Sequence, residues 1–163
     1  MKNKIQQNMI QQICMQIVKM NVCSINEMNY ILEKINVEEK LFNEFLIQEK
    51  IINEEQLSQV LASYFGYDYY NIDTICIDEN LVKSLTYEFI SKYKIIPLTF
   101  DDLNKRYIIA SSNPFDFNAI NIVYALFGMN AQIVVCPDTK LVRIKSRIFA
   151  KNEMNQTIAT YNK

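Results

Sequence analysis

Between residues 13 and 61 one apolar pattern occurs twice. Ile13, Ile17, Cys23, Met28 and Leu32 recur as Phe42, Leu46, Ile52, Leu57 and Leu61, each pair at an offset of 29 residues. Five matched positions at one period make a tandem repeat. Within each copy, two apolar residues at a spacing of four, a break, and two more at the same spacing describe two short amphipathic helices facing each other across a turn. Neither copy can bury its stripe alone, so the pattern predicts one helical subdomain over residues 1–65 in which the copies pack together.

Cap signals support this. Helices are expected near residues 10–20, 24–35, 38–49 and 53–65, with residues 1–9 fraying from or extending the first. Ser24 with Glu27, and Asn53 with Gln56, place an N-cap three residues ahead of a side chain that can reach back to it. Gly66 suits a left-handed helix end. From Tyr67 the period turns from helical to alternating. A tyrosine-rich strand at 67–72 precedes a helix capped by Asp78 or Asn80 that runs to about 93. Strands at 95–100 and 106–111 flank Asp101-Asp102-Leu103-Asn104 as a hairpin. Asn113-Pro114 closes that strand and opens a helix at 115–127, stopped by Gly128. A buried strand at 131–136 ends at Pro137, and Asp138 caps a last helix to about 150. The expected fold class is α+β: tandem helical hairpins at residues 1–65, a small α/β sandwich at 66–150, and a linker or tail at 151–163.

Composition removes most catalytic chemistries. The chain has two glycines, Gly66 and Gly128, and no histidine. Phosphate-cradling and dinucleotide loops need clustered glycines, and hydrolytic triads and zinc sites lack their usual parts. The chain is therefore read as no enzyme, with no cofactor and no metal. Cys14, Cys23, Cys76 and Cys136 form no C-x-x-C pair and read as small buried hydrophobes of a reducing compartment. Gln16, Lys19 and Asn21 interrupt the first apolar run, which excludes a signal peptide or membrane span, so a cytoplasmic location is expected. Residues 1–65 carry six lysines, no arginine and eight acidic residues, and residues 66–150 balance nine charges of each sign. Neither half offers the basic stripe that nucleic acid requires.

The order of parts resembles the N-terminal domain of bacterial type II secretion and type IV pilus assembly ATPases, in the tandem-repeat version that responds to cyclic di-GMP. The second copy, Leu41-Phe42-Asn43 through Ile52-Asn53-Glu54-Glu55-Gln56-Leu57 to Leu61, is similar to that family's helical motif. So are Ile96-Pro97-Leu98, the run from Ile109 to Asp116 through Asn113-Pro114, and Phe127-Gly128. The likeness covers residues 10–150. It implies a cytosolic interaction module, peripheral to the inner membrane, that docks on the cytoplasmic part of a platform protein and on the ATPase core of a longer parent chain.

In the ligand-binding version of the family each copy supplies an arginine, two glycines and a final glutamine. Arginine is a planar cation for guanine or phosphate, and glycine lets the backbone approach the ligand. Here Gln12 and Leu41 stand at the arginine positions, Cys14 and Asn43 at the first glycine, Asn21 and Lys50 at the second, and Ile35 and Tyr64 at the glutamine. The apolar slots remain while the polar and glycine slots are replaced. This argues against cyclic di-GMP as a partner and for a ligand-free docking role. The alternative is a cyclic di-GMP sensor with an altered site, in which Lys50, Lys19 or Lys34 neutralises phosphate and Tyr64 or Tyr30 stacks on a base.

Three other groups need weighing. Lys140, Arg143, Arg147 and Lys151 share one face of the last helix, as a docking stripe or as a solvated face complementing the helix dipole. Asp101 and Asp102 read as turn formers rather than a carboxylate pair. Tyr67, Tyr69 and Tyr70 read as strand packing rather than a platform for bases.

Overall fold

The computed structural model describes the backbone of residues 2–34 and 39–161, and the side chains of residues 8–33 and 42–150. Two compact units divide the chain, Met1–Tyr67 and Asp68–Lys163.

The first unit is helical: α1 (Lys2–Lys19), α2 (Ile25–Lys34), α3 (Glu39–Gln48) and α4 (Glu54–Phe65). Both expected cap pairs form. The Ser24 N–H donates to Glu27 at 2.8 Å while the Glu27 N–H donates to Ser24 Oγ at 3.2 Å. Twenty-nine residues on, the Asn53 N–H donates to Gln56 Oε1 at 3.0 Å and the Gln56 N–H to Asn53 Oδ1 at 2.8 Å. Each box satisfies donors that a helix start leaves without intrahelical partners. The repeat is also legible in burial: Ile13, Ile17 and Met28 are buried, as are Phe42, Leu46 and Leu57. Ile31 and Val60 form a further equivalent pair, at 3% and 0% exposure, whereas Leu32 is only half-buried against the buried Leu61. Gly66 closes α4 at φ 72°, its N–H donating to the Ala62 carbonyl, a left-handed end that costs glycine little.

The second unit carries a four-stranded sheet in the order β1-β4-β3-β2, from β1 (Asp68–Tyr69), β2 (Ile95–Asp101), β3 (Arg106–Ser111) and β4 (Gln132–Val135). β4 pairs in parallel with both β1 and β3, and β2 runs antiparallel to β3 with an irregularity between Pro97 and Thr99. Proline removes a ladder donor, and its place on an edge strand costs little. The outer edge of β2 is partly covered, since the Asp78 N–H donates to the Leu98 carbonyl at 2.8 Å. Ile96, Leu98, Ala110 and Val134 pack with Val82, Ile90, Leu141, Ile144 and Ile148 from α5 (Glu79–Lys83), α6 (Tyr87–Tyr93) and α8 (Asp138–Tyr161). Ile95, Ile109, Ile133 and Val135 have the opposite parity and so face the other side of the sheet, where α7 (Phe117–Phe127) packs against β3.

The expected α+β order is thus observed, with local differences. The single helix expected up to 93 is two, because the Thr86 hydroxyl accepts from the Phe89 N–H and starts α6 afresh. The first strand has two residues, since Asn71 caps a 3-10 turn at Ile72–Thr74. α8 continues past residue 150 to Tyr161; that stretch lacks proline and glycine, so nothing in it breaks a helix. Of the four cysteines read as buried, Cys14 and Cys136 are, Cys23 is half-buried and Cys76 is exposed. Burial pushes the Cys14 and Cys136 thiols up to about 12, which leaves them protonated and inert.

Candidate functional site

The two copies of the repeat turn in the same way. After α1, the Asn21 N–H donates to the Val18 carbonyl and the Val22 N–H to Ile17; after α3, the Lys50 N–H donates to Ile47 and the Ile51 N–H to Leu46. Asn21 has φ 55° and Lys50 φ 56°. These are the slots where the resemblance expects the second glycine of each copy, and the left-handed backbone persists without it. Asparagine tolerates that region best among non-glycine residues, while for lysine it costs roughly 1–2 kcal/mol.

The other slots disperse. Tyr64 donates its hydroxyl to Gln12 Oε1 at 3.0 Å, and Gln16 bonds Ser63 at 2.7 Å, so an arginine slot of one copy and a glutamine slot of the other are spent on joining α1 to α4. Cys14 is buried in the seam. Asn43 is half-buried, with its Oδ1 shielded from solvent, and it does not line the cleft described below. Ile35 lies outside the described residues, and the side chain of Leu41 does too.

A cleft of about 500 Å³ opens within the helical unit, a size that admits a nucleotide-sized molecule. Val22 and Cys23 from the first turn line it, with Glu27, Tyr30 and Ile31 from α2. Facing them are Phe45 and Glu49 from α3 and its end, then Lys50 and Ile51 from the second turn. Val22 and Ile51 are equivalents in the repeat, so both copies contribute a turn. Of the cations considered from sequence, Lys50 lines the cleft, Lys19 is exposed at the end of α1, and the side chain of Lys34 is outside the described residues. Tyr30 lines the cleft and Tyr64 does not. Glu49 and Phe45 carry no motif in the sequence, and Glu27 reads there only as a capping residue. Its hydrogen bonds from the Ser24 backbone and hydroxyl hold its carboxyl below the usual range.

In the second unit, Lys140 Nζ lies 3.1 Å from Asn71 Oδ1 and 3.0 Å from Asp73 Oδ2, and Arg143 also pairs with Asp73. Arg147 is exposed, and the side chain of Lys151 is outside the described residues. Asp101 accepts from the Leu103 and Asn104 N–H groups and from Asn104 Nδ2, the geometry of a turn former. Tyr70 packs against the core. Among the described residues no cluster of metal-ligating side chains occurs, and no helix is long and apolar enough to cross a membrane.

The profile of the MshEN domain family matches residues 65–154, more than half of the chain. The chain belongs to the MshEN domain family. Solved structures extend the likeness over more of it. "Structure of MshE with cdg", the cyclic di-GMP form of MshE, is 17% identical and aligns with TM-score 0.66 over 83% of this chain and 97% of that one. The N-terminal domain of XpsE is 14% identical, with TM-score 0.62 over 85% of this chain and 94% of that one; a second crystal form gives 0.51 at 15% identity, over 75% and 93%. No curated protein matches the sequence. The resemblance to N-terminal domains of secretion and pilus ATPases therefore holds for the family and the fold.

One expectation is corrected. Loss of the arginine and glycine slots argued against cyclic di-GMP as a partner, yet MshE, which shares this MshEN fold, is solved with that ligand. At the second glycine slot of each copy, Asn21 and Lys50 keep the left-handed backbone that glycine would provide, so loss of those glycines does not remove the turns.

Proposed function

We propose that this MshEN domain is a sensor module that binds a cyclic dinucleotide of the cyclic di-GMP class in its helical unit, through a site altered from the family pattern. The cleft bordered by the two equivalent turns carries this reading. It is large enough, it takes residues from both copies, and it contains an aromatic ring at Tyr30 and a cation at Lys50, groups that can stack on a base and neutralise a phosphate. Further support comes from the cyclic di-GMP held by MshE.

Calorimetric titration of the chain with cyclic di-GMP, paired with thermal melts, tests the proposal. Saturable binding is expected, with a rise in melting temperature that grows with ligand concentration; at a hundred times Kd the gain is about 2.7 kcal/mol. No heat and no shift at millimolar ligand would overturn it.

A further inference from the structure

Among the described residues that line the cleft, Lys50 is the one cation, and Glu27 and Glu49 bring two carboxylates. A phosphate-rich ligand entering such a cleft needs a reason to approach an acid. Glu27 already has one: its Oε2 accepts from both the N–H and the hydroxyl of Ser24, at 2.8 and 2.7 Å, so it is committed to the cap of α2. Glu49 has no such structural duty. It follows the last turn of α3, its N–H donates to the Phe45 carbonyl, and its side chain is exposed while lining the cleft beside Lys50.

A carboxylate accepts hydrogen bonds and donates none when ionised. Among nucleobases, guanine alone presents two adjacent donors on one edge, the ring N1–H and the exocyclic N2 amine, at a spacing that two carboxylate oxygens can accept together. Adenine offers an unprotonated ring nitrogen beside its amine, which sets a lone pair against the carboxylate. We infer that Glu49 is a specificity residue that accepts the N1–H and N2–H of a guanine lodged in the cleft, with Tyr30 beside the base and Lys50 meeting its phosphate. The assignment rests on the cyclic dinucleotide reading above and adds what that reading lacks, a group that chooses the base. It also gives a role to the acid that makes the cleft a poor general anion site.

Binding of cyclic di-GMP and cyclic di-AMP to the wild-type chain, Glu49→Gln and Lys50→Met tests this. The wild type should favour cyclic di-GMP, and Glu49→Gln should weaken it by roughly ten- to a hundred-fold, the worth of a bidentate base contact. The glutamine amide can face either edge, so Glu49→Gln should leave cyclic di-AMP unchanged or improved and narrow the preference. Lys50→Met should weaken both ligands by a similar factor. Circular dichroism and melting of each variant check that the fold is kept; both sites are exposed. If the wild type binds cyclic di-GMP but Glu49→Gln binds it equally well, or if cyclic di-AMP binds as tightly, the assignment of Glu49 is overturned while the sensor reading stands. If the wild type binds neither nucleotide, both are overturned.

Discussion

The α/β unit and the helical unit carry their family membership differently. The MshEN profile matches residues 65–154, which takes in all of the sheet and none of the repeat. The structural match to MshE spans 83% of the chain, a larger share than the α/β unit can supply, so it reaches into the helices. The helical unit has therefore kept its shape while losing its signature. Its apolar seam, its two capping boxes and its two left-handed turns are all present; the arginines, glycines and glutamines that would identify it are not. Packing tolerates exchange among apolar residues of similar volume, so a seam persists without a recognisable motif. Ligand slots have no such freedom, and of them only the two left-handed turns keep their backbone form.

The largest effect that could break this comparison is in the two cores. Phe42→Ala in the seam should cost about 3–5 kcal/mol and Ile96→Ala in the sheet about 2–5 kcal/mol, both residues being almost fully buried. Urea denaturation of the variants measures this. A cost below about 1 kcal/mol for Phe42→Ala would mean the helical seam is loosely packed and its retained shape has another source.

The equivalence of the two copies is tested next. Ser24→Ala and Asn53→Ala should each cost about 1 kcal/mol, and the double variant should show the sum, because the two boxes share no residue. Lys50→Gly restores the family's glycine at a φ of 56°. It should raise stability by about 1 kcal/mol while weakening nucleotide binding, since it removes the cation from the cleft. A variant that gained stability and kept full affinity would separate Lys50 from the site.

The smallest effect compares one carboxylate from each unit. Hydrogen bonds from Ser24 hold Glu27 below the ordinary carboxylate range, and a hydrogen bond from Lys140, seconded by the charge of Arg143, holds Asp73 below it. A depressed folded-state pKa adds stability above the unfolded value, and that stability is lost as pH falls through the folded one. Melting temperature should therefore drop between about pH 5 and 2, and Glu27→Gln and Asp73→Asn should each flatten part of that slope. Solvent screening keeps both contributions modest. A slope unchanged in both variants would show that neither contact persists in solution.

Much of the fold was legible from residue order. The offset of 29 residues, the capping pairs, the Gly66 stop and the hairpin at Asp101 each arise from short-range chemistry. The break between α5 and α6 was missed because Thr86 caps a new helix within an otherwise periodic stretch, where apolar spacing continues across the boundary. At the candidate site, Lys50 and Tyr30 could be named from charge and aromaticity. Glu49 could not, because an acid near a phosphate ligand looks unfavourable until its neighbours are known.

By itself, then, the sequence determined which faces are buried, where helices begin and end, and that one supersecondary unit is used twice. Only the tertiary structure decided that Gln12 meets Tyr64, that Lys140 and Arg143 converge on Asp73, and that Tyr30, Glu49 and Lys50 line one cleft. Periodicity specifies the direction in which a side chain leaves its own helix. Which side chains from separate elements come within reach depends on how those elements pack, and that is settled by the fit of whole surfaces rather than by any local run of residues.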